Sequence, residues 1–179
     1  MPESTLAPHP SPEITVRLFT PCKGVPNNAK LPLVIYRHAL AAGRRDLASE
    51  IEALYHDHGW GGAWRWSVYD FHHFHCNAHE SLAVFRGTAR VQFGGERGDA
   101  FDVGVGDVII IPAGVGHKKL SSSDDFQVVG GYPGGQVPDM NRDDDAVCAK
   151  WQTAIPNVPL PEADPIYGAA GPLMRLWKT

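Results

Sequence analysis

The sequence predicts an all-β protein, built as an antiparallel sandwich or jelly-roll barrel, and three observations support this prediction. From Trp60 onward, apolar residues repeat with period two in short segments that glycine, aspartate or serine clusters separate, a pattern typical of strands joined by tight turns. Glycine (19) and proline (15) are both frequent, as many turns require. Helices do not alternate with strands along the chain, which argues against a parallel sheet.

The first part of the chain is predicted to contain a tail and two strands. Residues 1–13 are acidic and interrupted by proline, so we expect a flexible N-terminal tail. The segments ITVRLF (14–19) and LPLVIYRHAL (31–40) are predicted strands, because turn-forming residues separate them. One domain is expected over residues 14–179, since no internal repeat or linker divides the chain.

One N-terminal helix is predicted over Arg44–His58. Apolar residues recur there at helical spacing from Leu47 to Tyr55, and Gly59 stands where a C-terminal cap belongs. After the helix the period changes to two. The predicted strands are then WRWSVYDFHHFH, ESLAVFR, ARVQFGG, AFDVGVG, DVIIIPA, HKKLS and FQVVGGYP.

Connections and the C-terminal region complete the predicted architecture. GGERGD (94–99) is typical of a hairpin connection, and Gly87 is expected to let the chain reverse direction. A short helix is predicted over Asp143–Thr153, where three successive aspartates favour the N-terminal end. The residues that follow are expected to form an extended arm pressed on the barrel.

Composition excludes several functional classes. The formal net charge is −4, so the chain lacks the basic surface of a nucleic-acid-binding protein. No apolar run approaches the roughly 20 residues of a membrane helix, and the N-terminus does not have the pattern of a signal peptide. The three cysteines, Cys22, Cys76 and Cys148, form no C-x-x-C pair. We therefore expect a cytoplasmic protein without a disulfide framework.

A short segment in the middle of the chain, FHHFHCNAHE, contains four of the nine histidines and one glutamate. Successive side chains of a strand face opposite ways, so His73 and His75 share one face. Glu80 opens the next predicted strand, and His117 follows a later strand and the turn PAGVG. Three neutral imidazoles and a carboxylate suit one divalent ion of iron, manganese, nickel, zinc or copper. We predict that these four residues bind such an ion.

The neighbours of these residues receive other interpretations. By strand parity His79 points opposite to Glu80, which favours a supporting or surface role, although an irregular strand start would make it the third ligand instead. His72 faces away from His73 by the same argument. Cys76 is interpreted as a buried cysteine, with metal ligation or redox chemistry as alternatives.

Two strings of this sequence resemble the paired signature motifs of the cupin superfamily. The first is H-x-H-x4-E-x6-G, formed by His73, His75, Glu80 and Gly87, and it spans 67–87 when the family's leading glycine position is included. The second is G-x5-P-x-G-x2-H, formed by Gly106, Pro112, Gly114 and His117, and it spans 106–121 when the family's final asparagine position is included. Ser67 and Ser121 stand where the family has glycine and asparagine, and neither position is a metal ligand. The strings IPAGVGHK, FQVVGGYP and DPIYG with GPL are similar to a branch of small bacterial cupins often labelled YjlB-like.

The resemblance implies a double-stranded β-helix, or jelly-roll barrel, with a metal in a cavity of ligand size. Four protein ligands leave two positions of an octahedral ion open, as catalysis requires. We therefore predict a metal-dependent enzyme acting on a small polar metabolite, with Glu80 as proton acceptor. Dioxygenase, isomerase, lyase and hydrolase chemistry stay open. The alternatives are a non-enzymatic small-molecule or sugar-binding sensor and a metal-stabilised structural protein.

Aromatic and basic residues near the motifs suggest contacts with partners. Trp60, Trp64, Trp66 and Phe71 lie in one predicted strand, where a core or dimer contact is favoured over a stacking platform for a ligand. A homodimer is predicted through the N-terminal strands or this aromatic segment. Surface positions are the default for the residues that could also bind an anion at the barrel mouth, namely Arg65, Tyr69, Arg86, Lys119 and Tyr132.

Overall fold

A computed structural model describes residues 6–143 and 148–178 of the chain. The strands of these ranges are β1 (Glu13–Arg17), β2 (Leu33–Arg37), β3 (Trp60–Trp66), β4 (His73–Phe74), β5 (Glu80–Arg86), β6 (Thr88–Phe93), β7 (Asp99–Gly104), β8 (Val108–Ile111), β9 (His117–Ser122), β10 (Gln127–Pro133) and β11 (Asn141–Arg142). The α-helices are α1 (Leu47–Asp57), α2 (Cys148–Ala154) and α3 (Leu173–Leu176), and a 3₁₀ turn covers Ile155–Asn157. None of these described helices has the length and apolar character needed to cross a membrane.

The strands form two sheets in which the named pairs run antiparallel. One sheet has six strands in the order β1-β2-β8-β5-β10-β3, and the other has five in the order β11-β4-β9-β6-β7. The chain changes sheet on both sides of β4 and of β9, between β5 and β6, between β7 and β8, and between β10 and β11. Sheet-changing connections of this kind build a jelly roll. The prediction of an all-β jelly-roll barrel with one N-terminal helix is therefore confirmed.

The central strands β2 and β8 of the six-stranded sheet are buried on both faces, which explains their continuous apolar runs. Ile109 belongs to the cluster between the two sheets, where it meets residues of β6 such as Val91. Its neighbour Ile110 belongs to a second cluster on the outer face, with Ile51 of α1 and Trp177 of the C-terminal arm. Because successive strand residues point to opposite faces, a strand covered on both sides must be apolar throughout.

The helix α1 is shorter at its N-terminus than the predicted range of 44–58. Asp46 is the N-terminal cap, and its side chain accepts a hydrogen bond from the Ser49 N–H at 3.3 Å. A capping residue has non-helical backbone angles, so the helix begins after it, at Leu47. Gly59 follows the C-terminal cap with φ +76°, as a glycine after a helix commonly does.

The turn at Gly87 differs from the prediction. Gly87 does not reverse the chain into a hairpin, because β5 and β6 belong to different sheets. It makes a corner with φ +70°, and a Cβ atom there would lie 2.4 Å from Ser123 Oγ and 2.8 Å from Phe126 Cα. The corner is too tight for any side chain. The hairpin predicted at 94–99 is present, since β6 and β7 pair on either side of it.

The predicted N-terminal tail contacts the barrel over part of its length. Leu6 is buried in the outer cluster, and the His9 N–H donates to the Ala39 carbonyl. Residues 1–5 lie outside the described residues. The assignment of 14–179 to one domain stays a prediction, as does the flexibility of the tail.

The predicted helix over 143–153 corresponds in part to α2. This helix covers Cys148–Ala154, and Asp144 and Asp145, expected to favour its N-terminal end, lie outside the described residues. The Trp151 side chain packs edge-on against Phe74 of β4, with ring centroids 4.6 Å apart. Helix α2 therefore covers the strand that carries the histidine motif.

The C-terminal arm is attached to the six-stranded sheet by Asp164, which is fully buried. One carboxylate oxygen accepts hydrogen bonds from the backbone N–H groups of Ile166 and Tyr167. The other accepts from the Tyr36 hydroxyl and the Leu173 N–H. Because Tyr36 lies on β2, this carboxylate joins the arm to the sheet.

Candidate metal centre

Three histidines of the predicted motifs meet inside the barrel. His73 lies on β4, His75 follows that strand, and His117 begins β9. The strand pairing sets His73 directly beside His117, and their ring centroids lie 3.9 Å apart. One nitrogen from each ring lies within 4.8 Å of the other two, and all three residues are buried. The histidine triad could therefore hold a metal ion.

Backbone carbonyls orient all three rings through their Nδ1 atoms. A carbonyl oxygen can only accept a hydrogen bond, so each Nδ1 carries the proton and each Nε2 keeps a lone pair. Carbonyl contacts of this kind also fix the ring orientation of metal-binding histidines. The bonds join His73 to Phe71 O (3.1 Å), His75 to Asp139 O, and His117 to Val115 O (3.1 Å).

Glu80 approaches the triad from the opposite sheet, at the start of β5. Its Oε2 lies 3.3 Å from His75 Nε2 and 3.2 Å from His117 Nε2. This oxygen is buried and has no hydrogen-bond partner in the part of the chain that the structure describes. The carboxylate oxygen and the imidazole lone pairs that it faces are all hydrogen-bond acceptors, and none of them is a donor. Burying these acceptors without a donor costs free energy. The donor set therefore fits a divalent transition-metal ion.

Burial and mutual contact shift the pKa values of these groups in different directions. Burial, assisted by the nearby His117, lowers the pKa of His73 to about 2. Burial also opposes the charged form of His75, but the Glu80 carboxylate outweighs it and raises the pKa of His75 above its ordinary value. Although burial raises the pKa of Glu80, His75 and His117 hold it below the usual range. The carboxylate is thus charged at neutral pH.

The other oxygen of Glu80 belongs to a hydrogen-bond chain that crosses the cavity. The Tyr132 hydroxyl of β10 donates to Glu80 Oε1 at 3.3 Å, and it accepts from the Trp64 indole N–H at 2.8 Å. Burial, with a contribution from Glu80, raises the pKa of Tyr132. No short motif connects Trp64 and Tyr132 with Glu80, because the three residues lie far apart in the chain.

The triad and Glu80 form one end of a cavity of about 290 Å³. Trp64 and Trp66 line this cavity. Trp64 also packs against the cluster between the sheets, and Trp60 is a buried core residue as expected. The dimer contact of the aromatic segment stays a prediction. Tyr69 also lines it. Arg65 pairs instead with Glu52 of α1 at 2.6 Å.

A short segment after β10 covers one side of the centre. The Asn77 side chain donates to the Val137 carbonyl at 2.9 Å and accepts from the Asp139 N–H at 2.8 Å. The Cys76 N–H donates to the Asp139 carboxylate at 2.8 Å. These contacts place the Asp139 carbonyl at His75. In the sequence, these contacts are indicated only by the turn-like segment CNA (76–78).

His79 lies apart from the triad, although it precedes Glu80 in the chain. It is fully buried, its Nδ1 accepts from the Ala113 N–H at 2.9 Å, and its ring packs against Trp177 with centroids 4.8 Å apart. Burial lowers the pKa of His79 to about 4. His72 also points elsewhere, and its buried Nδ1 has no partner among the described residues.

Solved structures with partial similarity include a globulin, an oxalate decarboxylase and a protein in complex with dTDP-D-xylose. Procruciferin, an 11S globulin of Brassica napus, matches with 22% identity and a TM-score of 0.39 over 64% of this chain and 28% of its own. A mutant of Bacillus subtilis oxalate decarboxylase matches with 20% identity and a TM-score of 0.33 over 64% and 24%. RmlC of Streptococcus suis, in complex with dTDP-D-xylose, matches with 12% identity and a TM-score of 0.33 over 68% and 70%. The chain thus spans about a quarter of the length of the first two proteins.

Sequence comparison gives a closer relationship. The family model described as Cupin matches residues 71–133, which include the three histidines and Glu80. The protein of Bacillus subtilis (strain 168) named uncharacterized protein YjlB is 45% identical over 169 residues, which cover 91% of this chain and 96% of that protein. The chain therefore belongs to the cupin superfamily, in the same branch as YjlB.

Proposed function

We propose that this protein binds one divalent transition-metal ion, iron, manganese, nickel, zinc or copper, and is an enzyme acting on a small molecule in the barrel cavity. The ligands are His73, His75, His117 and Glu80. The observation that carries the proposal is the Oε2 atom of Glu80, which is buried without a hydrogen bond and faces the lone pairs of two imidazoles. Four protein ligands leave two positions of an octahedral ion for a substrate, water or dioxygen.

The bound ion would supply Lewis-acid or dioxygen-binding chemistry. The residues of the chain supply proton transfer and position. Glu80 is the candidate proton acceptor, because its carboxylate is charged at neutral pH and lines the cavity. The Tyr132 hydroxyl holds a proton beside Glu80 Oε1, where it orients the carboxylate and faces the cavity.

A catalytic role is favoured over that of a passive sensor by this pairing of proton-carrying groups. A binding module needs only shape and metal contact, whereas a carboxylate and a hydroxyl in hydrogen-bond contact within a cavity are the groups of acid–base catalysis. The reaction type stays open, because the fold does not determine it.

Metal analysis of protein purified without a histidine tag tests the proposal. We expect about one divalent ion per chain, and electron paramagnetic resonance then separates iron, manganese or copper from zinc. Redox-active metal favours oxygen chemistry, and zinc or nickel favours Lewis-acid chemistry. Failure to bind any of these ions, both as purified and after titration, would refute the proposal.

The choice between Glu80 and His79 as a ligand gives a direct prediction. Glu80→Gln is expected to weaken metal binding by about 10-fold or more, since a neutral amide is a poorer donor than a carboxylate. His79→Ala is expected to retain one metal per chain, because its Nδ1 is occupied by the Ala113 N–H. Its effect is instead on stability, by roughly 1–3 kcal/mol for an orphaned buried N–H.

Both variants are measured by the same metal titration and by thermal unfolding. Glu80→Asp is the matched control for Glu80→Gln, since it keeps the charge and shortens the side chain. Loss of metal in His79→Ala with retention in Glu80→Gln would contradict the assignment.

The partner proposed for the chain is a second copy of itself. Strand β1 is an edge strand of the six-stranded sheet, and Ile14, Val16 and Leu18 at alternate positions are 37%, 36% and 58% exposed. Antiparallel pairing of two β1 strands would set Glu13 opposite the partner's Arg17. Cross-strand pairs of opposite charge favour such pairing.

Light scattering is expected to give twice the chain mass of 19.5 kDa. Val16→Lys is expected to shift the protein toward the monomer, since a charged residue at a strand edge opposes edge-to-edge pairing. A concentration-independent monomer mass for the unmodified protein would rule out the homodimer. A Val16→Lys variant that stays dimeric would place the interface elsewhere.

A further inference from the structure

The cavity has polar groups at one end and largely apolar side chains around the rest. The polar groups lie together at one end, where the triad, Glu80 and the Tyr132 hydroxyl meet. The walls are largely apolar and are formed by Trp64, Trp66, Val68, Leu82, Pro138 and Met140. A ligand that fills this space contacts polar atoms with one end and apolar surface with its body.

No lysine or arginine is found among the described residues that line the cavity. The nearby cations have other contacts. Lys119 donates from Nζ to Ser67 Oγ at 2.9 Å, and the Arg142 guanidinium lies over the Phe71 ring, 3.8 Å from its centroid. Two acidic residues, Glu80 and Asp139, do line the cavity. A carboxylate or phosphate in the ligand would meet these negative charges without a side-chain cation to balance it.

Aromatic side chains at the mouth remain partly uncovered. Trp66 is 50% exposed and Tyr69 is 36% exposed, and the two rings meet edge to face with centroids 4.8 Å apart. Tyr69 also contacts His73 of the triad, with centroids 5.2 Å apart. The aromatic surface therefore extends from the solvent to the metal centre. Such surface attracts a further planar ring by stacking or edge contact.

The size of the cavity limits the ligand to a small one. Its volume of about 290 Å³ is at the lower end of the roughly 300–1,000 Å³ of ligand pockets. One ring with a short polar substituent fits this space better than an extended chain or a nucleotide.

We propose that the ligand of this cavity has one planar apolar ring and adjacent hydroxyl or carbonyl oxygens, and that without a metal the cavity disfavours an anionic ligand. The ring packs against Trp66 and Tyr69, and the oxygens reach the centre formed by His73, His75 and Glu80. For its polar end this inference rests on the proposed metal-dependent function. The contact between the ring and the aromatic wall does not depend on the metal.

A matched set of three probes tests the inference. Phenacyl alcohol carries a ring and adjacent hydroxyl and carbonyl oxygens without charge, mandelate keeps the ring but carries a carboxylate, and hydroxyacetone keeps the neutral oxygens without the ring. Binding of each is measured by calorimetry and tryptophan fluorescence, in metal-free and in zinc-loaded protein. We expect phenacyl alcohol to bind at least about 10-fold more tightly than hydroxyacetone, because a phenyl ring buries far more apolar surface than a methyl group. In metal-free protein it should also bind more tightly than mandelate.

Trp66→Ala identifies the wall that recognises the ring. The affinity for phenacyl alcohol should fall by about 3-fold to 10-fold, as loss of an aromatic contact predicts, and that for hydroxyacetone should stay unchanged. Leu120→Ala is the control, since Leu120 is 45% exposed but does not line this cavity. Its affinities should match those of the unmodified protein.

The outcomes separate this inference from the proposed function. A ring preference in metal-free protein supports the inference even if zinc does not bind and the metal proposal fails. Zinc binding without a ring preference supports the metal centre and overturns the inference. Tighter binding of mandelate than of phenacyl alcohol to metal-free protein, or binding of none of the three probes, also overturns it.

Discussion

Replacing His73 or His75 by alanine is expected to lower the affinity for a divalent metal by more than about 100-fold. Loss of a residue that only supports a ligand commonly costs 10–100-fold in metal affinity, so loss of a ligand should cost more. Each ring is held by a carbonyl at Nδ1, and among the described residues the cluster contains no fourth histidine that could replace its Nε2. Metal titration followed by elemental analysis measures the effect.

His72→Ala provides the control for this prediction. His72 adjoins His73 in the chain and is buried, but it does not belong to the triad. The variant should therefore bind metal as the unmodified protein does. Full metal occupancy in both His73→Ala and His75→Ala would remove this site from consideration.

Metal affinity should also depend on pH, and the protonation of His75 determines that the affinity falls as the pH falls. Its pKa is raised by the Glu80 carboxylate, so a proton competes with the metal at His75 as the pH falls. Since protonated imidazole cannot bind a metal, affinity should begin to fall above the ordinary histidine pKa of about 6.5 and continue to fall below it. The same titration between pH 5 and about 8 measures this dependence.

Replacing Asp164 by alanine is expected to destabilise the protein by at least about 3 kcal/mol, because each buried donor that loses its acceptor costs about 1–3 kcal/mol. The carboxylate accepts from the Tyr36 hydroxyl and from three backbone N–H groups of the arm. The variant leaves these donors without their partner inside the protein. Urea unfolding and thermal melting measure the loss, with a Tm lower by about 6–12 °C.

Two further variants test the reason for this loss. Asp164→Asn keeps one acceptor oxygen, so it should lie between the unmodified protein and Asp164→Ala. Asp102→Ala removes an exposed carboxylate that pairs with Arg90 at 2.9 Å, and should cost less than about 1 kcal/mol. Equal stability losses for Asp164→Ala and Asp102→Ala would show that the arm is not held by Asp164.

Local patterns determined the fold class and most of the elements. The period of two after Trp60 and the helical spacing around Ile51 indicate which face of each element is buried. Such a pattern involves only residues that are close in the chain, so it can be recognised from the sequence. The same parity argument separated Glu80 from His79, and the two point in opposite directions in the structure. At Gly87 the sequence predicts a turn, but it does not show that the next strand, β6, joins the other sheet.

Spacing in the motifs identified the histidines that meet, because His73 and His75 lie on one strand face. It did not reveal that Glu80 reaches them from the opposite sheet. That approach depends on the packing of two sheets, which joins β4 and β9 to β5 only after the barrel closes. Neither the sheet order nor the barrel closure is encoded in any short segment.

The sequence by itself determined the jelly-roll class, the candidate metal ligands and the family resemblance, since each depends on residue types at fixed short spacing. Only the tertiary structure decided which partners these residues have. The Asp139 carbonyl at His75, the Tyr132 hydroxyl at Glu80 and the aromatic wall all come from segments distant in the chain. Contacts of this kind depend on how the whole core packs, so they cannot be inferred from periodicity along the chain.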